Sequence, residues 1–149
     1  MPPSAEPFEE LVDQAVLARL QGWDQWRDTP ALITRSLLKI DQYKRDLKDG
    51  AVLGVCRGSG DSVTPATHDE DGWRYEHEVV IVGYVEGDKN LIASTRMNRL
   101  RADARACLNA DITLGGLVTS FMREGPSHTD DNTVEPQAIF QESWRAVRE

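Results

Sequence analysis

The chain has 149 residues, enough for one domain with a core of its own. Hydrophobic residues at 40% and charged residues at 28% describe an ordinary globular protein, and a net charge of -8 argues against wrapping nucleic acid, whose phosphates need a basic partner. No apolar run approaches the ~18 residues of a membrane span, and the start Met1-Pro2-Pro3-Ser4 lacks the basic-then-apolar order of a signal peptide, so a soluble protein made inside the cell is expected.

Pro7 falls where the first turn of a helix tolerates proline. Phe8, Leu11, Val12, Ala15, Val16 and Leu20 then trace an apolar face at helical spacing, and Gly22 weakens its end. Trp23 and Trp26, three apart, could make a sticky surface, but a core lid over the sheet is the commoner use and is expected. Thr29-Pro30 marks a boundary. Ala31 to Ile40 fits neither the helix nor the strand period cleanly, and Tyr43 to Asp49 reads as a charged connection. Asp49-Gly50 is a turn signal, after which Ala51 to Cys56 has the text of a short buried strand.

Residues 58–72 are rich in Gly, Ser, Thr and acid, with Asp61, Ser62, Thr64, His68, Asp69, Glu70 and Asp71 among them. Such text buries too little apolar area to offset its ordering entropy, so a mobile hairpin loop is expected. Trp73 to Val85 is the strongest strand signal. Tyr75, His77, Val79 and Ile81 alternate with Glu76, Glu78, Val80, Val82 and Tyr84. One face is polar at first and both are apolar later, as in a strand running from a solvated hairpin into a covered sheet centre. His77 in that alternation reads as a packed or hydrogen-bonded residue.

Asp88 can cap a helix whose apolar stripe is Ala93, Met97, Leu100, Ala104, Cys107 and Leu108. Arg96, Arg99, Arg101 and Arg105 stand off the stripe, with Asp103 offsetting part of their repulsion. About twenty residues would give roughly 30 Å of helix. Thr113, Leu114, Gly115 and Gly116 follow, and the glycine pair suits a structural turn, since glycine reaches positive φ at little cost. A phosphate loop would need a preceding strand and a following Gly-Lys-Ser/Thr, and neither is there. Leu117 to Glu124 reads as a strand. Residues 125–133 read as a second exposed, mobile loop containing Ser127, His128, Asp130 and Asp131. Pro136 opens a last strand, Ala138 to Val147, whose apolar face of Ala138, Phe140, Trp144 and Ala146 is interrupted by Glu142. Cys56 and Cys107 are expected as buried free thiols, and the scattered His68, His77 and His128 imply no metal or other cofactor.

These segments together predict an α+β fold, a mainly antiparallel sheet of about four strands packed against two long helices in a single domain. A long amphipathic helix, then Ala110-Asp111-Ile112-Thr113-Leu114-Gly115-Gly116-Leu117-Val118, a strand, an acidic loop and an aromatic C-terminal strand resembles the tail terminators of long-tailed bacteriophages and related phage-like particles. These are also known as minor tail protein U-like or tail completion proteins, and the similarity is clearest from Glu78 to Arg145. The resemblance implies a structural protein of the virion tail, assembled in the host cytoplasm, with no catalytic role. Its copies would form a hexameric ring capping the head-proximal end of the tail tube. Its partners would be further copies of itself, the tail tube protein and a head-completion or neck protein, with no direct sequence-specific nucleic acid binding and no membrane. It also makes 31–40 an extended edge segment. The 58–72 and 125–133 loops would supply assembly contacts, lying at one end of the sheet or lining its rim.

Other classes stay open on the sequence. A head–tail connector or neck protein would serve the same assembly. An enzyme could draw on Asp69, Glu70, Asp71, Glu76 and Glu78, but these lie in or beside the expected loop rather than in a rigid pocket, and catalysis needs preorganised groups. A small-ligand or peptide-binding regulator would show a concave apolar site rather than charged loop rims.

Overall fold

The computed structural model describes residues 6–35, 50–58, 60–65, 73–87, 91–132 and 137–149. Its elements in chain order are α1 (Phe8–Gly22), β1 (Leu32–Arg35), β2 (Ala51–Arg57), β3 (Ser62–Pro65), β4 (Trp73–Glu86), α2 (Ala93–Asn109), β5 (Ser120–Asn132) and β6 (Gln137–Arg148). The strands form one sheet in the order β1-β2-β4-β6-β5, and β3 pairs with the first residues of β4. Every pairing is antiparallel except β1 with β2. The α+β class is as expected, but the sheet has six strands and is mixed, where about four antiparallel ones were expected. The two additions, β1 and β3, have four residues each, too few to establish a period.

α1 starts at Phe8 because Pro7 presets a helix-compatible φ of -57°, and Glu9 and Glu10 oppose the positive end of the helix dipole. It buries Phe8, Val12, Val16 and Leu20, and also Asp13. α2 buries Ala93, Met97, Leu100, Ala104, Cys107 and Leu108, the stripe read from the sequence. It does not start from Asp88, which lies outside the described residues. Ile92 occupies the N-cap position without a side-chain hydrogen bond, leaving 17 residues or about 25 Å of helix. Arg96 and Asp103, expected off the stripe, are buried as well. Arg96 Nη1 donates to the Glu86 carbonyl, and Asp103 accepts from the Arg27 N–H at 2.9 Å.

Both helices cover one face of the sheet, where α1 packs on β1, β2 and β4, and α2 packs on β4, β5 and β6. That face carries Leu53 and Val55 of β2, Val79, Ile81 and Val85 of β4, Phe121 of β5, and Ala138, Phe140, Trp144 and Ala146 of β6. Phe121 stacks on Trp144 with ring centroids 5.3 Å apart. Gly83 sits opposite Phe140 in the register, and a Cβ there would collide with the Phe140 ring. Trp23 and Trp26 lie half-buried against this core, as a lid should.

The stretch after α2 is a turn with Leu114, Gly115 and Gly116 at φ of 49°, 72° and 88°. The Asp111 carboxylate accepts from the Thr113 N–H at 2.9 Å, the Thr113 hydroxyl at 2.6 Å and the Gly115 N–H at 2.8 Å. The next strand therefore starts at Ser120 rather than Leu117.

Two loop expectations change. Residues 125–132 are not a loop but the outer half of β5, which stays paired with β6 through a register shift between Glu124 and His128. Gly125, at φ 73°, supplies the backbone for that bulge, so Gly125-Pro126 kinks the strand instead of reversing it. Within 58–72, Ser62–Pro65 is β3, held on β4 opposite Glu76 to Trp73. The rest of that expectation, 66–72 with His68, Asp69, Glu70 and Asp71, lies outside the described residues, as do most of 31–50 and Pro136. The described parts of the two stretches, β3 and the outer half of β5, do not share one end of the sheet. β3 lies by Tyr75, which pairs with Arg148, whereas Asn132 pairs with Gln137 beside Glu86 at the other end.

Candidate functional site

The apolar face beneath the helices is broken in two places by charge. The first break is at His77, whose side chain is fully buried. Strand alternation points it inward with Val79 and Ile81, where it meets Asp13, one residue past Val12 on α1. His77 Nε2 lies 2.7 Å from Asp13 Oδ1, and His77 Nδ1 lies 2.7 Å from Asp61 Oδ1. The same Asp61 oxygen accepts from the Glu78 N–H at 3.0 Å. Burial works against a charged ring, but the hydrogen bonds and charges of Asp13 and Asp61 outweigh it, so His77 titrates above the ordinary histidine value.

Around this triad stands a second layer of charge. Asp13 Oδ2 accepts from Arg35 of β1 at 3.1 Å and lies 3.6 Å from Arg57 of β2. Arg35 also grips Glu10 at 2.5 and 2.6 Å, which holds that carboxyl below its usual range. An open polar depression runs over the group, lined by Glu6, Pro7, Glu9, Glu10, Arg35, Arg57 and Asp61.

The second break is Glu142 of β6. Its buried carboxylate accepts from Arg105 of α2 through Nε at 2.7 Å and through Nη2, with Arg123 of β5 at 3.8 Å. On the opposite face, Arg145 bonds the Gly60 carbonyl at 2.7 Å, grips Glu124, and stands within 4 Å of Glu76 and Glu78.

Those residues singled out in the sequence that are described do not converge. Asp61 joins the triad, and the Ser62 hydroxyl donates to Glu76 at 2.8 Å. Thr64 occupies β3 opposite Arg74. At the far end, Ser127 accepts a long hydrogen bond of 3.4 Å from Arg101, His128 faces Gln141 in the register, and Asp130 and Asp131 pair with Ile139 and Ala138. Thr113 to Gly116 form the turn already described. Asp13, Arg35 and Glu142 were missed as partners. Asp13 carried a signal, since it flanks Val12 on a face that continues to Val16. Its partner lies 64 residues away, a distance no local pattern spans. Among the described residues, no group of His, Cys, Asp and Glu could hold a metal, and no helix is long and apolar enough to cross a membrane.

No family model matches the chain, and no curated protein does. Solved structures do, among them one titled "Virion of native gene transfer agent (GTA) particle". It aligns with a TM-score of 0.48 at 12% identity, covering 91% of this chain and 92% of that chain.

Proposed function

We propose that this chain is a structural virion protein, a tail terminator whose copies close into a hexameric ring at the head-proximal end of a tail tube. The ring stops tube polymerisation and offers a docking face to a head-completion or neck protein, and no catalytic step is involved. The likeness of Glu78 to Arg145 to the tail terminators supports this reading.

The observation that carries it is that the sheet ends in two unlike strands. β5 has 13 residues and β6 on one side, and among the described residues no strand lies on its other side. β1 has four residues, runs parallel to β2, and likewise has no second neighbour there. A closed ring joins a patch on each subunit to a different patch on the next, and a subunit with two dissimilar edges meets that requirement. Within the depression, meanwhile, Arg35 and Glu10 hold each other, Arg57 lies by Asp13 and Asp61 bonds His77, which suits tying α1 to the sheet better than handling a substrate.

Electron microscopy of particles made without the gene tests the reading. Overlong tubes lacking heads are expected. Tails of set length joined to heads would overturn it, and headless tails of normal length would favour a connector instead.

A further inference from the structure

His77 links three separate parts of the chain: α1 through Asp13, its own strand β4, and the segment entering β3 through Asp61. A neutral imidazole has one N–H, yet both ring nitrogens face a carboxylate oxygen at 2.7 Å. Satisfying both contacts takes two ring protons and therefore the imidazolium. We infer that protonated His77 is a latch holding the Asp61–β3 segment against α1, and that loss of one ring proton opens it. This inference does not depend on the proposed function.

The direction of opening follows from the surroundings. The neutral ring can donate to only one carboxylate and turns a lone pair toward the other inside a dry site. Asp13 has a 4% exposed side chain and keeps Arg35 and Arg57, so it stays. Asp61 is 35% exposed, keeps only the Glu78 N–H among the described residues, and can turn into water. The segment that loosens is therefore the one leading into β3.

The remaining charges facing the site leave that direction unchanged. From α1, Glu10 is spent on Arg35. From β4, Glu76 and Glu78 lie on the opposite face with Arg145 of β6, whose bond to the Gly60 carbonyl joins those of Gly58 to Glu78 and Ser62 to Glu76 as tethers that do not depend on the His77 proton. Arg148 of β6 stacks over Phe8 and Tyr75 at 4.6 and 5.2 Å. β6 contributes Ala146 opposite His77, which carries no charge.

The test has two readouts on the full chain. Nitrogen-detected NMR of the histidine rings, assigned with His68→Gln and His128→Gln variants, follows the protons on His77. Hydrogen exchange, corrected for its intrinsic pH dependence, follows the β3 amides against those of α2. His77 is expected to carry both protons at pH 6 and to lose one above the ordinary histidine value. Protection of the β3 amides should fall in step, by about ten-fold per pKa unit of elevation, while α2 stays protected. Asp61→Asn, a change at a partly exposed side chain, should lower the His77 transition and abolish the linked change in β3. A neutral His77 ring at pH 6 would overturn the inference, as would β3 protection that ignores the transition or an Asp61→Asn variant that titrates like the parent.

Discussion

Glu142 shows what a single buried charge asks of its surroundings. With 2% of its side chain exposed, it has lost its water, and Arg105 replaces that water from α2. Removing one partner of such a pair strands the other in the core, which costs more than the pair itself contributes. Arg105→Met keeps the length and apolar stem of the side chain but leaves Glu142, among the described residues, with Arg123 at 3.8 Å. A loss of about 1–3 kcal/mol is expected, read as a lower urea midpoint at unchanged slope. Adding Glu142→Gln should recover part of that loss, since the stranded group is then uncharged. If Arg105→Met were as stable as the parent, the α2–β6 pairing would be wrong. The sequence did expose Glu142, as the one acid on the apolar face of β6. It did not expose the partner, because Arg105 read as one of four arginines off an apolar stripe.

At the scale of elements, the turn after α2 is built on Asp111, and its chemistry sets a pH window. Hydrogen bonds from the Thr113 hydroxyl, the Gly115 N–H and the Thr113 N–H pull the carboxyl from 3.8 down to about 2. A carboxyl whose folded pKa is depressed stabilises fully above its unfolded value and loses that contribution as pH falls through the folded one. Asp111 therefore supports the turn at neutral pH and fails between 3.8 and about 2. Asp111→Asn keeps an oxygen acceptor but no charge. Thermal unfolding should find the variant less stable than the parent near pH 7 and the two converging toward pH 2. A gap that does not change with pH would remove Asp111 from this role. This turn was legible because the Gly115-Gly116 pair allows positive φ whatever surrounds it. The strands β4 and β6 were legible for a similar reason, their alternation being local, and β2 was legible as a short apolar run after the Asp49-Gly50 turn signal. β3 and the outer half of β5 were not. Their polar residues carry no period, and they are strands because β4 and β6 extend far enough to pair with them. The same blindness hid the triad, since Asp61 and Asp13 meet His77 only once β4 lies between them.

At the scale of the whole molecule, charge and apolar edges pull against each other. The chain carries 25 acidic and 17 basic residues, a net charge of -8. Several of the arginines are committed internally: Arg35 and Arg57 to Asp13, Arg105 to Glu142, and Arg145 to Glu124. Copies brought edge to edge therefore meet a surplus of negative charge and repel. Each of the unlike edges also carries an exposed apolar side chain, Met122 on β5 at 58% and Leu32 on β1 at 41%. Burying such groups is favourable and owes little to ionic strength at moderate salt, whereas repulsion between exposed charges is screened beyond about 8 Å at physiological ionic strength. Raising salt should then remove the opposing term and leave the favourable one. Sedimentation velocity of the purified chain is expected to show a shift from monomer toward the proposed ring as salt increases, and Met122→Glu should blunt that shift. Dissociation on adding salt would mean that complementary charges hold the copies together and that the apolar residues at the sheet edges do not make the contact.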